Sequence, residues 1–210
     1  MNKKYRKLYD RIAPIYDLTT RAYAYFRSGG EEERRSEYLS ELEIKDEDKV
    51  LEVSIGTGAN LRYLPRAAQF FGVDISRGML KQCKKKLSRL ALDAPLLLSA
   101  AEALPFRGQV FDVVYHVGGI NFFDDKTAAI AEMTRVAKLG TKIMIVDETE
   151  KIAKAYERSL GAGPFYKDRD QTIAAPIDFV PTEMVDVHVK EVCGGELYCL
   201  TFRKPAATPA

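Results

Sequence analysis

Residues 50–60 read VLEVSIGTGAN: a run of strand-forming residues breaks into Gly56-x-Gly58, and the hydrophobic period then changes. A strand that ends in such a turn brings backbone close to a ligand, because glycine carries no side chain to hold it off. From Lys49 onward, short apolar runs alternate with helix-period segments, which is the pattern of βαβ units in a mostly parallel sheet. Strands are expected at 49–54, 70–75, 95–100, 111–117 and 141–148, with helices over Ala59–Arg66, Arg77–Leu92 and Lys126–Lys138. In the second helix Leu80, Cys83, Leu87 and Leu90 recur at steps of three and four, and Lys81, Lys84, Lys85, Lys86 and Arg89 read as its solvated face.

The end of the chain breaks the alternation. Residues 184–193 and 196–203 flank Gly194-Gly195 and read as a β-hairpin. A nicotinamide dinucleotide fold would continue with a second parallel half instead. Residues 1–43 form a helical section with breaks expected at Pro14 and at Ser28-Gly29-Gly30. It is rich in aromatic residues, with Tyr5, Tyr9, Ile12 and Tyr16 at near-helical spacing, then Tyr23, Tyr25 and Phe26, and it is expected to lie as a lid over the carboxyl ends of the strands. Residues 157–181 start Gly161-Ala162-Gly163-Pro164, carry Phe165, Tyr166 and Phe179, and are expected to cover the substrate side. Residues 1–204 are read as one domain, with a core at 49–148, and 205–210 as a disordered tail.

With 210 residues, 46% of them hydrophobic, the chain can bury one sizeable core. A net charge of +2 provides no bulk positive field, so nucleic acid is not an expected partner. Cys83, Cys193 and Cys199 have no C-x-x-C spacing and read as reduced structural thiols. No metal is expected. No uncharged apolar run approaches the roughly 20 residues of a membrane span, so a cytoplasmic protein without stable membrane insertion is expected.

Three features narrow the ligand. The third glycine of G-x-G-x-x-G is Leu61, and no G-x-x-x-x-G-K-[ST] string exists. Asp74, at the end of the second strand, is placed to accept hydrogen bonds from the two hydroxyls of a ribose, which points to a nucleoside.

Six segments, in order, carry a resemblance: YDRIAPIYD (9–17), LEVSIGTG (51–58), GVDISRGML (72–80), AEALPF (101–106), FDVVYHVGGINFFDDK (111–126) and EMTRVAKLGTKIMIVDE (132–148). The chain resembles the class I S-adenosylmethionine-dependent methyltransferases, and within them the ubiquinone/menaquinone-biosynthesis C-methyltransferase-like group. The resemblance implies a Rossmann-like α/β sheet, mostly parallel with a C-terminal antiparallel hairpin, and S-adenosyl-L-methionine as cofactor. It also implies that Glu52 sits near the methionine ammonium, that Gly56 and Gly58 admit the cofactor to the backbone, and that Asp74 binds the ribose. Ile75 and Met79 are placed to pack on the adenine, with the N–H of Ala101 or Glu102 at its edge. The methionine carboxylate is expected at the N-terminus of the helix beginning near Ala59.

The departures are specific. Ser54 replaces the first glycine of the family's loop, which a negative φ would tolerate. Ser99-Ala100-Ala101 lacks the acidic residue that relatives often place against the adenine amino group, leaving Ser99 or water to substitute. Val117-Gly118-Gly119-Ile120-Asn121 stands where the quinone enzymes carry a Phe-Gly-Leu-Arg-Asn-like turn, and loss of the arginine points away from a quinone.

Methyl transfer needs alignment and exclusion of water more than electrophilic help. Tyr9, Tyr16, Tyr23 and Asn121 are the substrate-side candidates, and His116, at the end of the fourth strand, is the candidate general base. His188 reads as structural and remote. Asp147 and Glu148 either orient a substrate or cap the next helix, the second being favoured. The acceptor is expected to be a small, partly apolar molecule, either a quinol-like carbon or an amine head group. The alternative is a non-catalytic or repurposed methyltransferase fold. A base-methylation motif and the cysteine set of an arsenite methyltransferase are both missing.

Overall fold

The alternation from Lys49 onward builds a seven-stranded sheet in the computed structural model, which describes residues 3–28, 30–157, 166 and 172–207. The elements are α1 (Lys3–Ser28), α2 (Glu31–Leu39), β1 (Lys49–Val53), β2 (Gln69–Asp74), α3 (Arg77–Leu90), β3 (Leu96–Leu98), β4 (Val113–Val117), α4 (Lys126–Val136), β5 (Lys142–Glu148), α5 (Glu150–Glu157), β6 (Val185–Val192) and β7 (Leu197–Arg203). The strands lie in the order β3-β2-β1-β4-β5-β7-β6. The first five are parallel, and β7 inserts antiparallel between β5 and β6. The strand order reverses between β1 and β4, so their carboxyl ends open the crevice in which such sheets bind ligands.

Strand alternation fills both faces. Leu51, Val53, Val114, Ile143 and Ile145 pack with Ala129, Ile130 and Met133 of α4. Val50, Val113, Tyr115, Met144 and Val146 pack with Cys83 and Leu87 of α3 and Tyr38 of α2. Burial on both faces is why these strands read as continuous apolar runs.

Three expectations are corrected. The helix over Ala59–Arg66 is a single 3₁₀ turn at Leu61–Tyr63, because Pro65 stops a segment too short to propagate. Helix α1 runs straight through Pro14 rather than breaking there. Proline has no N–H, so it leaves the carbonyl of Asp10 without its ordinary helical donor, and α3 approaches at this point. A Cβ on Gly78 would lie 2.8 Å from the Asp10 carbonyl oxygen and 2.9 Å from its Cα. The tail starts anchored: Gly140 N donates to the carbonyls of Lys204 and Pro205, and Lys204 Nζ donates to the carbonyls of Thr134 and Ala137 at the end of α4.

Helix α1 is fastened across the carboxyl ends of β1 and β2 by two aspartates two turns apart, hence on one face. Asp10 accepts from Ser76 Oγ at 2.7 Å and from Gly78 N at 2.8 Å. Asp17 accepts from Thr57 Oγ1 and pairs with Lys86 at 2.8 Å. Lys86 therefore belongs to a contact and not to a merely solvated face. Among the described residues, no helix is long and apolar enough to cross a membrane.

Alanine at Gly78 ordinarily gains helix propensity. Here its Cβ meets backbone that cannot yield, so Gly78→Ala should instead lower the unfolding free energy by about 1–3 kcal/mol, checked by urea denaturation.

Candidate active site

The turn after β1 is stitched to β2. Ile55 N donates to the Val73 carbonyl at 2.9 Å, Gly56 N donates to Asp74 Oδ2 at 2.8 Å, and Gly58 N closes onto the Ile55 carbonyl at 2.9 Å. To reach these partners Ser54 adopts φ +58°, not the negative value expected for it. Left-handed backbone costs a residue with a Cβ about 1–2 kcal/mol. The two glycines do different work. A Cβ on Gly58 would strike Cys83 Sγ at 2.7 Å, so that position is reserved for packing against α3. On Gly56 it would meet only the Ser54 carbonyl at 4.0 Å, which leaves the backbone open to a ligand.

Asp74 is the hub of the site. It is buried, and its second oxygen accepts from Ser76 N at 2.8 Å. Desolvation pushes its carboxyl up to about 6 despite these bonds. Each carboxylate oxygen has two lone pairs, so both keep capacity for a pair of vicinal hydroxyls. Nearby, Met79 is buried with its N–H on the Ser76 hydroxyl, while Ile75 is half-buried. Among the described residues the N–H groups of Ala101 and Glu102 donate no hydrogen bond. Ser99 Oγ gives its proton to the carbonyls of Ala100 and Ala103 and keeps its lone pairs as acceptors. An open Gly56, a ribose-type carboxylate and two free N–H groups fit a nucleoside cofactor.

Glu52 faces the α3 side of the sheet beside Tyr115, its register partner on β4. Tyr115 Oη donates to it at 2.7 Å, and Asn60 Nδ2 donates to its other oxygen. Desolvation raises the Glu52 carboxyl to about 7. Arg35, from α2, donates to Asn60 Oδ1 and, at 3.1 Å, to Tyr38 Oη, with a further bond to Glu31. The expected helix N-terminus near Ala59 is absent from this loop. Arg35 is the cation that stands beside it, and the signal for it was weak, one arginine in the charged run EEERRSE.

The second half of the site lies at the ends of β4 and β5. His116 is fully buried, with Nδ1 at 3.0 Å from the Val53 carbonyl, which fixes the proton on Nδ1. Desolvation lowers it to about 4, so it is neutral, and its Nε2 has no partner among the described residues. Phe123 covers it edge-on at 5.2 Å. Asp147 accepts from Gly119 N and Asn121 N at 3.0 Å each, bracing the turn after β4 rather than capping α5. Asn121 Nδ2 donates to the Glu148 carbonyl at 3.3 Å, and its Oδ1 is unpaired among the described residues. Glu148 is half-buried and accepts from Tyr166 Oη; desolvation, then the charge of Asp147, push it up to about 7. Phe122 and Tyr156 pack on the Tyr166 ring.

The lid closes this half. Tyr9 and Tyr16 meet edge-on at 6.3 Å. Both hydroxyls are held above their ordinary range by desolvation and by the carboxylates of Glu148, Asp147 and Asp74. The side chain of Tyr23 and, apart from Tyr166, the residues 158–171 lie outside the described residues. Phe179 is exposed with Lys126 Nζ 5.8 Å above its ring, and His188 is exposed on β6, away from the site. Among the described residues no group of three or more His, Cys, Asp or Glu side chains could hold a metal.

Replacing Ser54 by glycine removes the left-handed penalty and keeps the turn's backbone bonds at Ile55, Gly56 and Gly58, and should stabilise the fold by about 1 kcal/mol in urea denaturation.

Residues 51–145 match the methyltransferase-domain family. The chain is 31% identical over 162 residues to the ubiquinone/menaquinone biosynthesis C-methyltransferase UbiE of Burkholderia vietnamiensis, covering 74% of this chain and 65% of that relative. It thus spans just under two thirds of the curated relative's length. Among solved structures it is similar to a SAM-dependent methyltransferase from Aquifex aeolicus (TM-score 0.63, 18% identity, 91% of this chain and 97% of that one) and to the [4+2]-cyclase SpnF (TM-score 0.73, 15% identity, 97% of each). Residues 51–145 thus form a methyltransferase domain, and the sheet order and the β1 turn with its Asp74 hub belong to the fold of S-adenosylmethionine-dependent methyltransferases.

Proposed function

We propose that the chain methylates a small amine, taken between the lid tyrosines and Glu148. The observation that carries this reading is the pairing of aromatic rings with raised carboxylates at one opening. Tyr166 donates to Glu148 with Phe122 packed on its ring, desolvation and then the charges of Glu148 and Asp147 raise the hydroxyls of Tyr9 and Tyr16, and both acids are held in the protonated direction by desolvation. Such a site favours a cation, through ring faces and through charge that an ammonium would restore to the acids.

When bound, S-adenosylmethionine supplies a methyl group on a sulfonium. The chain's own residues do the rest. Asp74 and Gly56 hold the nucleoside, and Glu52 faces the amino-acid end. Asp10 and Asp17 keep the lid down, so that water is excluded from the nucleophile. Glu148, poised at about 7, accepts the proton that the amine nitrogen sheds. This assigns the base to Glu148 and not to His116, whose sealed ring at about 4 is a poor proton acceptor near neutrality. Asn121 Oδ1 orients the acceptor's remaining N–H.

A second reading, transfer to a quinol-like carbon, is supported by the curated relatives. Labelled methyl transfer to alkyl- and arylamines and to reduced quinols separates the two. Label in amines, with Glu148→Gln lowering kcat by about 100-fold, is expected. Label in quinols alone would discard the amine and retain the methyltransferase.

Cofactor affinity provides a separate check. Glu52, at about 7 in the free protein, is driven toward ionisation by an ammonium beside it. Affinity for S-adenosylhomocysteine should therefore rise as pH increases toward about 7 and then level off, with proton release below it. Glu52→Gln should flatten this dependence in calorimetric titration. Asp74→Ala should cost about 1–3 kcal/mol of binding. Failure of S-adenosylmethionine and S-adenosylhomocysteine to bind at millimolar concentration would overturn the cofactor reading and favour a repurposed fold.

A further inference from the structure

We propose that the cleft between the end of α4 and the chain that follows β7 binds a small aliphatic carboxylate, held at its head by Lys204 and Thr134. The cleft lies beside the start of β5 and the end of β7, at the opposite end of the sheet from the β1/β4 crevice, so it is independent of the acceptor reading.

The cleft has a volume of about 470 Å³, within the range of small-molecule sites. Leu139, Pro181, Met184 and Pro205 are its apolar walls. Backbone bonds fix the wall that the tail provides: Lys204 N donates to the Thr141 carbonyl at 2.9 Å, and Gly140 N donates to the carbonyls of Lys204 and Pro205. Across from it, Met184 N closes a turn onto the Pro181 carbonyl at 3.0 Å, and the Met184 side chain is packed into the core.

The fold leaves two polar groups of this lining incomplete. Lys204 Nζ donates to the carbonyls of Thr134 and Ala137 at 2.9 Å each, which uses two of its three protons. Both acceptors are neutral. Desolvation lowers the Lys204 ammonium, and no acid among the described residues opposes that shift. Thr134 is only 7% exposed, and its hydroxyl has no partner among the described residues. A helical threonine ordinarily satisfies its hydroxyl on the carbonyl three or four residues back, and here that bond is not made. The other charges of the lining are accounted for. Arg135 is bound to Glu132 and to the carbonyls of Leu104 and Phe106, and Glu183 is exposed to solvent, where water screens it.

A lysine that merely caps the end of α4 needs the two carbonyls and nothing more. The third proton, the idle hydroxyl and the apolar walls together define the ligand. A carboxylate accepts a charge-assisted bond from Lys204 and a second bond from Thr134, which has two χ1 wells in a helix and reaches the cleft by one rotation. Its alkyl chain covers the walls. An inorganic anion would leave those walls wet, and an alcohol would leave the ammonium without a counter-charge.

Titration of hexanoate into the full chain, carbon-13-labelled at the methionine methyls and followed by NMR, tests this. The expected result is a saturable shift of the Met184 methyl at millimolar hexanoate, with no saturable shift from hexanol. Lys204→Gln keeps a donor for the α4 carbonyls but removes the charge, and should weaken binding by at least about tenfold. Thr134→Val leaves the tail and the helix cap untouched, so it tests the head group even where Lys204→Gln disturbs the anchor. It should weaken binding by about threefold or more without lowering the melting temperature, because the hydroxyl it removes has no bond to lose. Absence of a Met184 shift at high millimolar hexanoate overturns the proposal. So does a shift that hexanol reproduces, or one that both variants leave at full affinity, since either result means that no carboxylate is recognised.

Discussion

One buried carboxylate holds the working half of this fold together. Asp74 receives the backbone of the β1 turn through Gly56 and the start of α3 through Ser76. Ser76 in turn donates its hydroxyl to Asp10 of the lid. Two anions thus meet around Ser76, Asp74 gathering the β1 turn and the start of α3 and Asp10 bringing the lid, and, after desolvation, the charge of Asp10 adds to the rise of Asp74. The desolvation that raises Asp74 to about 6 shows what that arrangement costs, since an acid in water would sit lower. Asp74 is also the ribose candidate, and the lid docks beside it, on the Ser76 whose N–H Asp74 accepts. Disturbing either contact is felt by the other.

The lid's position follows from that hub and from a proline. By leaving the Asp10 carbonyl without a helical donor, Pro14 provides a place where the backbone of Gly78 can come within contact distance. Asp17 then fastens the next two turns to Thr57 and Lys86. The lid tyrosines Tyr9 and Tyr16 meet edge-on between the polar contacts that the helix's own aspartates make. The carboxylates beneath them, Asp147 and Glu148, are raised because no cation within the chain neutralises them fully. Asp147 is spoken for by the turn after β4, which leaves Glu148 as the acid that faces the opening.

Much of this was legible in the sequence, for reasons that also mark the limit. Strands β1, β2, β4 and β5 are covered on both faces and therefore read as uninterrupted apolar runs, and Gly194-Gly195 announced the β6–β7 hairpin. Asp74 stood out as the acid that ends the second apolar run, and the structure buries it there. Pairings across the fold were not legible. Tyr115 looked like one more core residue until the β1–β4 register set it beside Glu52. Arg35 and Asp17 were charges in charged segments, and their partners at Asn60 and Lys86 depend on where helices cross. The supposed break at Pro14 failed because tertiary packing compensated a local penalty. Ser54 was misjudged because the bonds to β2, and not the residue's own preference, set its φ.

The cofactor half and the acceptor half differ in how far the fold determines them. A [4+2]-cyclase shares this architecture at a TM-score of 0.73, so the sheet by itself does not dictate the reaction. What can dictate it is the chemistry at the end of β5. A quinol ring would bring hydroxyls that donate to Glu148 and can lose a proton to it, but no positive charge. An ammonium would restore that acid's charge, and the tyrosine faces would share the cation. A cation would stabilise the ionised Glu148 that desolvation disfavours, and that is the physical argument behind the proposed amine.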